Sequence, residues 1–181
     1  MNQAFAFLLD VVTTLATIFF LARFLLQAAR ADFYNPLSQA VVRLTDPVLK
    51  PMRLVLPPWR NLDFAALIIA LLVQALLVLL LTGGASGFLI AGVALFKTVT
   101  FLINILRWSI VIVAIASFIA PGSHHLALQL LSQITEPLIA PVRRLLPAMG
   151  GLDFSPLIVL VGLSMLEMIL ADFFGRFLGS G

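Results

Sequence analysis

Four stretches of this chain, roughly residues 7–29, 64–82, 97–119 and 155–174, are each long and apolar enough to cross a hydrocarbon core. A helix does so with about 20 residues. Internal Pro is absent from all four except Pro156, which falls in the first turn of the last, where Pro is tolerated. None shows the alternation of a barrel strand. In lipid the backbone must satisfy its own amides, so the runs are expected to be helices. Composition agrees: 62% of the 181 residues are hydrophobic and only 10% charged, against about 25% charged in a soluble domain. A chain this small has too much surface to hide that many apolar side chains from water. The formal charge of +3 is modest, and no nucleic-acid partner is expected. The absence of Cys excludes disulfides, thiolate metal sites and cysteine nucleophiles. The amino terminus carries Asp10 and no basic n-region, so it reads as a retained first span and not as a signal peptide.

The sequence repeats itself at an offset of 90 positions. TDPVLKPMRLVLPPWRNLDF (45–64) aligns without gaps on TEPLIAPVRRLLPAMGGLDF (135–154). Thr45, Pro47, Pro51, Arg53, Leu56, Pro57, Leu62, Asp63 and Phe64 are identical in the two, and Asp46 meets Glu136. The corresponding residues are Thr135, Pro137, Pro141, Arg143, Leu146, Pro147, Leu152, Asp153 and Phe154, with Arg144 an additional cation. Carried backward, the offset maps span 7–29 onto 97–119. The expected organisation is therefore a first repeat over 1–82, a connector over 83–96 that is interfacial, re-entrant or a helical extension of span three, and a second repeat over 97–181. Two spans per unit give both copies one orientation, a parallel repeat. The fold class is an all-α membrane protein: four transmembrane helices from two parallel tandem repeats, with short interfacial amphipathic helices in the cytoplasmic loops.

Orientation is read from the basic residues. Arg30, Arg43, Lys50, Arg53 and Arg60 lie between spans one and two, and Arg143 and Arg144 between spans three and four. The positive-inside rule makes both loops cytoplasmic and puts both termini on the opposite side of the membrane. Arg23 is expected to snorkel to the cytoplasmic edge. Leu37, Ala40, Val41 and Leu44 share a helical face, as do Ala127, Leu130, Leu131 and Ile134. These predict short helices that lie in the interface or cover the bundle end. In the signature T-[DE]-P-x-x-x-P-x-R-x-x-x-P, prolines four apart oppose a continuous helix. A break capped by Thr45 or Asp46 (Thr135 or Glu136), then a short helix starting at Pro51 (Pro141), suits the chemistry. Arg53, Arg143 and Arg144 would then contact anionic headgroups or partners, or Arg53 and Arg143 would pair with Asp46 and Glu136. Asp63 and Asp153 are expected to cap the second span of each copy.

Polar residues at membrane depth are the remaining candidates. Asn104 and Arg107 lie three apart on one face of span three, Glu167 lies in span four and Gln74 in span two. Their depths allow an Arg107–Glu167 pair, which is either structural or part of an ion or proton path. His124 and His125 are the only histidines, and adjacent side chains that diverge read as a wet loop pair more readily than as haem ligands. No Walker loop, nucleophile elbow or HExxH is present, so an enzyme is not expected, nor is any cofactor.

TEPLIAPVRRLLPAMGGLDFSP (135–156), with its first-copy echo DFYNPLSQAVVRLTDPVLKPMR (32–53), resembles the YggT family of bacterial inner-membrane proteins over essentially the whole chain. The first copy departs at Pro58-Trp59-Arg60, where the second has Ala148-Met149-Gly150. The resemblance implies a link to tolerance of hyperosmotic stress, and through plastid relatives a link to haem attachment in cytochrome assembly. It supplies no catalytic residue. The expected function is a non-enzymatic scaffold or assembly factor, working with membrane lipids, itself as a homo-oligomer, or other membrane proteins. An oligomeric channel lined by Arg107, Glu167, Asn104 and Gln74 is the alternative, and haem handling through His124 or His125 a third.

Overall fold

The computed structural model describes residues 2–119, 122, 125–146 and 153–179. Among these it is all helical: α1 (Gln3–Ala28), α2 (Pro36–Val55), α3 (Phe64–Thr82), α4 (Gly87–Ile119), α5 (Leu126–Leu145) and α6 (Ser155–Gly179). Helices α1, α3, α4 and α6 are long and apolar enough to cross a membrane, which makes the chain a multi-pass membrane protein. α2 and α5 are amphipathic and lie at one end of the spans.

Helix starts follow local chemistry. Asn2, Asn35 and Asp63 accept a backbone N–H of the first turn of α1, α2 and α3, and His125 does the same for α5 through Nδ1. Gly83, in the left-handed region at φ 68°, ends α3. The segment over 83–96 proves to be a tight turn followed by the first turns of α4, the helical extension among the forms expected for it. At 33 residues α4 is about 50 Å long, well beyond roughly 30 Å of hydrocarbon. Its early turns are held by aromatic packing, Phe88 against Phe177 at 5.1 Å and Phe96 against Phe174 at 5.3 Å between ring centroids.

The Pro-rich segments correct the sequence reading. α2 and α5 each run unbroken for 20 residues through two prolines, Pro47 and Pro51 in one, Pro137 and Pro141 in the other. All four prolines lie on the exposed face. The carbonyls they leave without an amide donor, those of Arg43, Pro47, Gln133 and Pro137, therefore point away from the core, where helical hydrogen bonds are weakest and other donors are available. The opposite face is fixed by packing, with Ser38, Thr45 and Leu49 buried in α2 and Leu130, Ile134, Thr135 and Ile139 in α5. Thr45 and Thr135 are thus not caps of a break. Each hydroxyl donates back four residues within its helix, to the Val41 carbonyl at 2.7 Å and the Leu131 carbonyl at 2.9 Å.

The spans do not close into a symmetric bundle. α1 packs on α3, α3 on α4 and α4 on α6; among the described residues α6 touches only α4 and α5. One core joins α1, α2 and α3 around Phe20, Leu21, Leu49 and Ile69. A second, smaller one joins α4, α5 and α6 around Ile110, Ile139 and Val159. A third, around Leu25, Leu26, Leu106 and Ile134, bridges the halves. Hydrogen bonds from Asp32 N–H to Gln133 Oε1 (2.8 Å) and from Asn35 Nδ2 to the Leu126 carbonyl (3.0 Å) tie the two amphipathic ends together.

Candidate functional site

Where the amphipathic helices meet the spans, each half builds a charged cluster from the repeated motif. In the first, Arg53 of α2 reaches ten residues ahead and donates through Nη2 to Asp63, the fully buried N-cap of α3. Asp46 does not pair with Arg53 as the alternative reading had it. It meets Arg23 Nη2 at 3.8 Å and Lys50 Nζ at 3.3 Å. Arg23 itself corrects the snorkelling expectation. Its side chain is 8% exposed, and its guanidinium sits 5.1 Å from the centroid of the Phe33 ring. The Asp46 carboxylate and the Phe33 face accompany the cation inside, while its Nε and Nη1 are buried without a hydrogen-bond partner among the described residues.

In the second half Arg143 serves two acids. Its Nε donates to Asp153 Oδ2 at 2.8 Å and its Nη1 to Glu136 Oε1 at 2.7 Å, so here the expected pairing with the motif acid is present. The hydrogen bond to Asp153 raises the Arg143 pKa above its ordinary value. Hydrogen bonding from Ser155, whose backbone N–H donates at 2.9 Å, holds the Asp153 carboxyl below the usual range, with Arg143 adding to the effect. All three side chains are nearly half exposed, unlike their first-half counterparts.

Arg144 and Pro57 are exposed, and Pro147 and His124 lie outside the described residues. The outward cations of this face are thus Arg30, Arg43, Lys50, Arg60 and Arg144, while Arg53 and Arg143 are held by their acids.

Within the membrane the structure brings Arg107, Asn104 and Glu167 together. Arg107 Nη2 donates to Asn104 Oδ1 and to Glu167 Oε2, each at 2.5 Å, and so links α4 to α6. Gln74 is elsewhere. It is fully buried between α3 and α1, where Nε2 donates to Thr17 Oγ1 at 2.9 Å. Thr17 and Arg107 occupy equivalent positions at the offset of 90, so each half carries a polar clasp between its spans, although Glu167 lies three residues past Ser164, the equivalent of Gln74. Sequence reasoning missed Thr17 because a Thr in a span looks apolar enough to need no partner.

A cavity of about 680 Å³ opens between α4, α5 and α6. Glu136, Arg143 and Asp153 line one end, and Ile110, Leu157 and Leu160 are among its apolar walls. The signal that could have found it is the offset itself, which sets the smaller Ile110, Val113 and Ala114 at the positions of Phe20, Arg23 and Phe24.

The model of the CCB3/YggT family matches residues 2–83 and again 92–174. An uncharacterized protein of Pseudomonas aeruginosa is 37% identical over 178 residues, covering 95% of this chain and 90% of its own length. The uncharacterized protein YggT of Escherichia coli K12 is 38% identical over 170 residues, 92% of this chain and 88% of its own. A protein of Vibrio alginolyticus, described by its place in the proC 3′ region, is 36% identical over 181 residues. No solved structure matches the chain.

Proposed function

Because this chain belongs to the CCB3/YggT family, we propose that it is a non-enzymatic scaffold or assembly factor of the bacterial inner membrane, serving tolerance of hyperosmotic stress. In this reading α2 and α5 form a cytoplasmic platform, both termini are periplasmic, and the two halves are parallel tandem copies. The observation that carries it is how the motif is used. Its Arg and Asp are spent on locking each amphipathic helix to the following span. That leaves a stiff surface on which Arg43, Lys50, Arg60 and Arg144 face outward beside exposed Leu37, Leu44, Leu54 and Leu145. Apolar and cationic side chains side by side suit a headgroup layer or a partner membrane protein.

Replacing Arg43, Lys50, Arg60 and Arg144 together by Gln tests this reading. At about 1 kcal/mol for each basic residue near an anionic surface, retention of phosphatidylglycerol measured by native mass spectrometry should fall by orders of magnitude, with insertion intact. Unchanged lipid retention and an unchanged set of co-purifying membrane proteins would remove its basis. The channel reading draws on Asn104, Arg107 and Glu167 alone, since Gln74 is engaged by Thr17. Flux in reconstituted vesicles that survives Arg107→Leu with Glu167→Gln excludes that path. Haem handling has only His125 among the described residues, and its Nδ1 already caps α5 by accepting from the Ala127 N–H at 3.3 Å.

A further inference from the structure

The two halves repeat the same motif yet fill their cores differently. At the offset of 90, Val113 stands where the first half has Arg23, Ile110 where it has Phe20, and Ala114 where it has Phe24. Pro156 in place of Ala66 and Leu160 in place of Ala70 return only part of that volume, and the cavity of about 680 Å³ remains. The cavity is an open cleft with Phe118 and Leu157 exposed at its edge, and its volume falls in the range of small-molecule sites.

Charge changes along with volume. The first cluster sets Arg23, Lys50 and Arg53 against Asp46 and Asp63, an excess of one positive charge. The second sets Arg143 alone against Glu136 and Asp153, with Ala140 at the position of Lys50 and Val113 at that of Arg23, an excess of one negative charge. The two acids persist while the buried cation beside them is gone. Arg143 Nε and Nη1 are already committed to these acids, so an anion would meet two carboxylates and few free donors. The walls that α4 and α6 contribute are largely apolar, Ile110, Leu157 and Leu160 among them, while Ser117 of α4 and Ser132 and Thr135 of α5 add hydroxyls.

We infer that this cavity binds an ammonium ion carried on an alkyl chain, its head beside Glu136 and Asp153 where the first half places the Arg23 guanidinium, and its chain along α4 and α6. The first half is the template: there a cation supplied by the chain itself, the Arg23 guanidinium, lies 3.8 Å from Asp46, the residue equivalent to Glu136. The site is separate from the outward cationic platform, and its test does not depend on that reading.

The test uses the full chain in mild detergent, with dodecylamine and dodecanol as probes that differ only in the head. Dodecylamine should raise the melting temperature and bind about tenfold or more tightly than dodecanol, the usual scale for one charge-assisted contact. Glu136→Gln keeps the volume and should remove about that factor for the amine while leaving the alcohol unchanged. Val113→Arg restores the first-half cation and should abolish amine binding; if it does not fold, the Glu136→Gln comparison still decides. Nanodiscs of mixed phosphatidylethanolamine and phosphatidylglycerol identify the source. Enrichment of the ethanolamine lipid on the wild type and not on Val113→Arg assigns a membrane lipid. No enrichment, with dodecylamine binding intact, assigns a free amphiphilic amine, and the site stands in both cases. Equal binding of amine and alcohol, or an amine affinity indifferent to Glu136→Gln, overturns the inference.

Discussion

Asp63 and Asp153 occupy the same motif position, yet the structure predicts very different costs for losing them. Asp63 is fully buried and its partner Arg53 is 23% exposed, so Asp63→Ala strands a largely desolvated guanidinium. Removing one member of a buried pair costs about 3–5 kcal/mol. Loss of the cap on α3, where Asp63 accepts the Ala66 N–H, adds about 1 kcal/mol. The expected total for Asp63→Ala is therefore about 4–6 kcal/mol. Asp153 and Arg143 are 42% and 47% exposed. A pair so open to screening is worth about 0–1 kcal/mol, and with the cap Asp153→Ala should cost about 1–2 kcal/mol. Pulse proteolysis in mixed micelles of rising SDS fraction can read both variants against the wild type. A third variant isolates the cause: Arg53→Leu with Asp63→Ala removes both charges and should be more stable than Asp63→Ala alone. Equal losses for the two single variants, or a double variant that loses the sum of its parts, would refute the argument from burial.

Gln74→Leu should change stability by less than about 1 kcal/mol in the same assay, because interhelical hydrogen bonds in membranes average about 0.6 kcal/mol and Gln74 Oε1 has no partner to lose; a loss above about 3 kcal/mol would contradict this. Glu167→Leu leaves Arg107 with Asn104 alone and should be less stable than Arg107→Leu with Glu167→Leu, the reverse order ruling out a structural pair. Asp153 is depressed in the folded protein, so its contribution is full above the unfolded carboxyl pKa near 3.9 and is lost as pH falls through the lower folded value. Asp153→Asn should accordingly flatten the acid side of the stability profile below about pH 4, and an unchanged profile would count against the Ser155 and Arg143 contacts.

Much of this architecture is legible in the sequence because lipid leaves few choices. A run such as 64–82, nearly all Leu, Ile, Val and Ala, can satisfy its amides in a membrane only as a helix, and the structure starts and ends it at those residues. Asp63 could be read as a cap for a similarly local reason, since its side chain answers amides within its own first turn. Depth along a helix is likewise countable, which is why the Arg107–Glu167 meeting could be anticipated from two spans running in opposite directions.

What the sequence could not decide are matters of packing between helices. Pro47 and Pro51 argue locally for a break, but α2 is continuous because both face outward while Thr45 and Leu49 are gripped on the other side. Arg23 looked free to reach water, and only the approach of Asp46 and Phe33 from other elements turned it inward. Arg53 had two acids within reach along the chain and took the one ten residues ahead, because α3 presents Asp63 to it. The sequence determined which segments cross the membrane and where their caps lie, since those depend on each segment alone. The tertiary structure decided which charges meet and which space stays open between α4, α5 and α6, since both depend on side chains that different helices bring to one place.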